Sequence, residues 1–112
     1  MEDPAVFAIE SNGAYWFKDV QRAASWMEAE DVEDGVYRVF NRDGGEYRLE
    51  VMRNRVVVSS RPEGTAPEYL AERLRAYLLH VAPRLRRLTD GQVANATLAE
   101  LIDEFRAVER PQ

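Results

Sequence analysis

Between residues 5 and 18 the chain reads AVFAIESNGAYWFK, two apolar runs on either side of Asn12-Gly13. Both turn residues tolerate positive φ, which makes this pair a strong short-range hairpin signal. Strands are expected at 5–11 and 14–18. A turn at those two residues pairs Ile9 with Trp16 and Ala8 with Phe17. Phe7, Ile9 and Trp16 then share one face, and Val6, Ala8, Tyr15 and Phe17 the other. Neither face is polar, so the hairpin must be covered on both sides or lend one side to a partner.

Asp19 can cap the next segment, where Val20, Ala23, Ala24 and Met27 recur at helical spacing and predict a helix near 20–30. Trp26 falls about 90° from the centre of that stripe, at the border of core and solvent. The segment runs out in EAEDVEDG, with Glu28, Glu30, Asp31, Glu33 and Asp34 clustered ahead of Gly35. At the end of a helix over 20–30 these acids would face the negative pole of the macrodipole. They are expected either to be solvated or paired with the protein's own arginines, or to form a docking patch for a basic partner. Their spacing lacks the calcium-loop pattern.

A three-strand meander is expected at 36–41, 46–52 and 55–60. A two-residue turn at Arg53-Asn54 sets Val51 opposite Val56 and Leu49 opposite Val58. Tyr47, Leu49, Val51, Val56 and Val58 form its apolar side. Arg48, Glu50, Met52, Arg55, Val57 and Ser59 form the other. A three-residue loop at 43–45, with Gly45 at positive φ, would place Val39 opposite Leu49, Arg38 opposite Glu50 and Phe40 opposite Arg48. A tighter Asp43-Gly44 turn would shift the pairing and flip strand 36–41, and a five-residue loop would oppose Arg38 to Arg48, a positive pair seeking an anion.

Thr65 and Glu68 stand in capping-box spacing, Pro67 suits a first helical turn, and Leu70, Leu74, Tyr77, Leu78 and Val81 carry a helical stripe to about residue 82. Ala82-Pro83 breaks it, and PRLRRLTDG reads as a short helical turn closed at Gly91. A second capping box, Thr97 with Glu100, opens a helix over 98–109, leaving 109–112 as a frayed tail. The pattern as a whole predicts an α+β domain spanning 1–112. Its antiparallel sheet has about five strands, hairpin plus meander, with one inserted helix and two C-terminal helices packed on a sheet face.

Composition narrows the function. The 112 residues suit one domain, and no apolar run is long enough for a bilayer span. The chain has no cysteine, which excludes disulfides and thiolate metal sites; with no signal-peptide pattern at the start, a cytoplasmic setting is expected. Charge is uneven: residues 1–34 hold nine acids against two bases, residues 35–88 eleven bases against six acids. Arg73, Arg75, Arg84, Arg86 and Arg87 could neutralise the acidic 28–34 segment. The overall charge of −5 disfavours nucleic acid.

Chemistry is sparse. His80 is the single histidine, at a helix end, and no nucleophile motif, Walker loop or dinucleotide loop is present. The expectation is a non-catalytic interaction or regulatory module, with neither metal nor cofactor. It would resemble an antitoxin or immunity protein in logic, binding a basic partner through Trp26, Glu30, Asp31, Glu33 and Asp34. The alternative is a small anionic-ligand binder using Arg38, Arg48 and Arg55 in a cleft between sheet and helices. Self-association through a sheet edge or the N-terminal hairpin is compatible with either.

Overall fold

The computed structural model describes residues 3–112. Along the chain run β1 (Val6–Glu10), β2 (Gly13–Phe17), α1 (Val20–Trp26), α2 (Ala29–Glu33), β3 (Arg38–Asn41), β4 (Gly45–Tyr47), β5 (Leu49–Met52) and β6 (Arg55–Val58). Then follow β7 (Gly64–Thr65), α3 (Pro67–His80), a 3₁₀ turn (Ala82–Arg84), α4 (Asp90–Ala94) and α5 (Leu98–Val108). The fold is α+β. An antiparallel five-stranded sheet has the order β2-β1-β3-β4-β7, and β5-β6 form a second, two-stranded sheet.

Strand β1 organises the core because it is buried on both sides. Phe7, Ile9, Trp16 and Phe40 pack against Leu70, Leu74 and Leu78 of α3 and Leu101, Ile102 and Phe105 of α5. On the opposite face Val6, Ala8, Phe17 and Val39 pack with Ala23 and Met27, and with Val32, Leu49, Val56 and Val58 around them. The result is three layers: C-terminal helices, sheet, then α1, α2 and the β5-β6 hairpin. The doubly apolar N-terminal hairpin is therefore covered from both sides within one chain. Side-chain alternation placed each of its apolar residues on the correct face.

Its register differs from expectation by two residues. Phe7 pairs with Trp16 and Ile9 with Ala14, so the turn is Ser11-Asn12. Gly13 serves close approach, not turn geometry: a Cβ there would meet Tyr15 Oη at 3.0 Å and Glu10 Oε1 at 3.2 Å. A two-residue shift preserves every face because the strand period is two.

The expected meander is not one sheet. Val39 pairs with Tyr47 and Phe40 with Glu46, through a loop at 42–44. Gly44, not Gly45, takes the positive φ, at +86°, and a Cβ there would sit 2.4 Å from Pro67 Cα. Asn41 Oδ1 fixes the loop by accepting from the N–H groups of Asp43 (3.0 Å) and Gly45 (2.8 Å). The far edge of β4 is taken by β7, where Gly45 pairs with Thr65. The chain parts from the main sheet at Arg48, and β5-β6 turns its apolar side onto the second core cluster. Within that hairpin the expected register holds: Leu49 faces Val58 and Val51 faces Val56, with Arg53 and Asn54 both at positive φ.

The helix expected at 20–30 is two helices. Asp19 caps α1 by accepting from Arg22 N at 2.9 Å, but Met27 is extended (φ −74°, ψ 140°), which carries its side chain into the core. Thr65 belongs to β7, so the Thr65–Glu68 capping box does not form and Ala66 precedes α3. Gly91 closes nothing; it lies inside α4, which Thr89 and Gln92 open with their own capping box. The box at Thr97 and Glu100 is present as expected. Residues 109–112, expected to fray, run beside β2, with Gln112 N donating to Trp16 O at 2.8 Å.

Glu104 is the one fully buried charged residue among those described. Its carboxylate accepts from the backbone N–H groups of Arg86 (2.8 Å), Arg87 (2.9 Å) and Leu88 (2.8 Å), which ties the loop before α4 to α5. Hydrogen bonds to a charged group are each worth about 1.5–3 kcal/mol, and unsatisfied donors carry a further cost. Glu104→Ala is expected to lower the unfolding free energy in urea by ~3 kcal/mol or more. Glu104→Gln, which keeps one acceptor oxygen, should lose clearly less.

Candidate functional site

Trp26 ends α1 and sits at the border of the second core cluster, 37% exposed. Its ring contacts Tyr15 (4.8 Å between centroids), Phe17 (5.4 Å) and Tyr37 (5.7 Å). Phe17 is fully buried beneath, while Tyr15 and Tyr37 are half-buried at the rim. Four aromatic residues from β2, α1 and the segment before β3 thus form one patch with Trp26 on its outer side. Side-chain alternation already put Tyr15 on the face of Phe17. Tyr37 follows Gly35, whose φ of +70° reverses the chain after α2, and no periodicity marked it.

Glu10, Asp31 and Glu28 act on the two tyrosines of this patch. Tyr15 Oη donates to Glu10 Oε1 at 3.5 Å. The Tyr37 hydroxyl is pushed up to about 12, first by burial and then by the negative charges of Glu10 and Asp31, with Tyr15 and Glu28 contributing less. Burial and Glu10 also raise Tyr15. The acids of 28–34 are better placed for helix formation than a single helix over 20–30 implied. Because the chain breaks at Met27, Glu28 becomes the N-cap residue of α2 and Glu30 and Asp31 lie in its first turn, where negative charge is favourable. Gly35 follows the end of the segment as anticipated.

None of Glu28, Glu30, Asp31, Glu33 and Asp34 forms an ion pair with any described residue. The expected neutralisation by the arginines of the C-terminal half does not occur. Those arginines belong to the helical layer on the opposite face of the sheet, and several are spent there. Arg73 donates to the carbonyls of Glu10 (2.9 Å) and Ser11 (2.7 Å), and Arg75 to those of Val93 (3.2 Å) and Ala96 (3.0 Å). Arg84 pairs with Glu109 at 2.8 Å. The sheet itself separates the acidic segment from its expected counter-charges.

Elsewhere acids are used internally. A groove of about 490 Å³ is lined by Asp3, Asp19, Asp43 and Arg42, among others. Asp3 pairs there with Arg106 and, at 3.6 Å, with Arg42, while Asp19 caps α1 and meets Arg22 at 2.5 Å. Hydrogen bonds to Arg106 and to the Ala5 N–H hold Asp3 below the usual carboxylate range. No group of three histidines or acids among the described residues could hold a metal ion.

Arg38, Arg48 and Arg55, the alternative anion site, are not brought together. Arg38 makes a bidentate pair with Glu46 (2.8 Å for both bonds) and lies 4.0 Å over the Tyr69 ring. That pairing raises its pKa further. Arg48 lies near Glu50 (3.4 Å) and Glu63 (3.5 Å), and Arg55 is exposed at the start of β6. The feared opposition of Arg38 and Arg48 is avoided although the β3-β4 register would allow it, because the chain leaves the sheet at Arg48. His80 is exposed at the end of α3 and forms no hydrogen bond or ion pair with a described residue.

No described helix is long and apolar enough to cross a membrane. Comparison with known protein families, characterised proteins and solved structures found no match.

The raised Tyr37 hydroxyl carries a pH signature. A group that holds its proton more tightly when folded contributes stability below its unfolded pKa of about 10 and loses it as pH rises through the folded value. Unfolding should therefore become easier between pH 10 and about 12. Tyrosinate absorbance should show Tyr37 and Tyr77 titrating last, since Tyr77 is also pushed to about 12 by burial and by Glu109, with Tyr15 raised as well. Tyr37→Phe is expected to remove one of them.

Proposed function

We propose that this chain is a non-catalytic interaction module that presents an acidic, aromatic face to a basic protein partner, in the manner of an antitoxin-like or immunity-like inhibitor. Trp26 is the anchor, and Glu30, Asp31, Glu33 and Asp34 supply the charge. The observation that carries this reading is the lack of counter-charge: five acids in seven residues follow a partly exposed tryptophan along the chain, and among the described residues no arginine is paired to them. Aromatic anchors ringed by unsatisfied charge are what interfaces use for affinity and for fast, salt-sensitive association.

The anionic-ligand alternative draws less support, since two of its three arginines already have carboxylate neighbours and the three share no cleft.

The test is affinity capture with the purified chain at low and high salt. A stoichiometric basic partner is expected at low salt, released as salt rises. Reversing Glu30, Asp31 and Glu33 to lysine should weaken it at least tenfold while circular dichroism stays unchanged. Equal capture by wild type and the reversed variant would refute the proposal.

A further inference from the structure

The β5-β6 hairpin has one edge, along β6, whose main-chain groups are unpaired among the described residues. In the hairpin, Met52 pairs with Arg55 across the Arg53-Asn54 turn, and Ser59 N donates to Arg48 O at 2.9 Å. N–H and C=O directions alternate along a strand, so Arg55, Val57 and Ser59 bond inward to β5. Val56 and Val58 therefore aim their N–H and C=O groups away from β5, and no hydrogen bond from outside the hairpin reaches them among the described residues. The other edges are less inviting: β2 carries the Gln112 bond, and β7 is two residues long.

Side chains fix the partner and the register. Val56 and Val58 point to the core, while Val57 (40% exposed) and Met52 (58%) point out beside Glu50 and Arg55. Antiparallel pairing of β6 with its own copy keeps inward residues opposite inward residues only if the two-fold axis passes through a residue. Centred on Val57, it pairs Val56 with Val58 of the second copy and Val58 with Val56. Both pairs use the outward-directed groups, giving four main-chain hydrogen bonds. Arg55 then faces Ser59, so no like charges meet. The equivalent pairing of β5 would set Glu50 against Glu50, a repulsive pair. Val57 against Val57 joins two apolar residues that are otherwise wet.

We propose that a second copy of this chain pairs antiparallel along β6, with Val57 opposite Val57, to make a continuous four-stranded sheet with isologous symmetry. This goes beyond the acidic face and does not depend on it.

The absence of native cysteine makes the test direct. Opposed residues of a non-hydrogen-bonded pair have Cα atoms roughly 4.5 Å apart, within disulfide range. Val57→Cys should form a disulfide-linked dimer on mild oxidation. Met52→Cys should not, because the pairing holds its two copies about three strand spacings apart across the sheet and about four residues apart along it, roughly 20 Å in all. Random collision would favour the more exposed position 52 instead. Val57→Asp, at an exposed site, should keep its circular dichroism spectrum and urea midpoint while becoming monomeric in sedimentation. A wild-type chain that stays monomeric at several hundred micromolar, or crosslinking at position 52 as fast as at 57, would overturn the proposal.

Discussion

Val6, Phe7, Ala8 and Ile9 are all shut away from solvent, so consecutive side chains of β1 demand apolar cover on opposite faces of the same sheet. One layer of helices cannot satisfy both. The chain answers with the α3 and α5 pair on one side, and with α1, α2 and the β5-β6 hairpin on the other. Each fully buried large side chain contributes roughly 1.5–3 kcal/mol relative to exposure, so the two clusters together dominate the favourable side of folding. The third layer is what distinguishes this fold from a sheet with one wet face.

That layering has an electrostatic consequence. The acidic N-terminal third contributes α2 to one outer layer, whereas the arginines of α3 and of the loop after it belong to the other. Between them lies an apolar sheet. Opposite charges that a linear reading brings together are thus held on opposite sides, and the acids of α2 are left to solvent or to a partner. Trp26 and the rims of Tyr15 and Tyr37 lie on the same side, which couples the hydrophobic constraint to the surface proposed for recognition.

Much of the local structure could be read from residue order, because it depends on neighbours within a few positions. Alternation along β1, β2, β5 and β6 assigned faces correctly, the Arg53-Asn54 turn fixed its hairpin, and Thr97 with Glu100 opened α5. Trp26 at a core border followed from helical geometry. What could not be read depends on distant contacts. The break at Met27 exists because the second cluster takes that side chain, and at β4 the edge that β6 would have used is occupied by β7. Gly44 rather than Gly45 turns the loop because Pro67 packs against it. Glu104 gave no sign of burial in its helical pattern, since its partners are three backbone N–H groups 16 to 18 residues away. Tyr37 joined the aromatic patch only through the reversal at Gly35.

Among the described residues the acids of α2 form no ion pair, and the arginines of α3 lie across the sheet from them. Urea unfolding of a variant carrying Glu30→Gln, Asp31→Asn and Glu33→Gln tests this separation most directly. Surface charges outside any ion pair change stability by about 0.5 kcal/mol or less each, and the loss of favourable charge at the start of α2 is opposed by relief of mutual repulsion. The expected unfolding free energy lies within about 1 kcal/mol of wild type. A loss of ~2 kcal/mol would contradict it, by showing that these carboxylates are held by the protein's own cations after all.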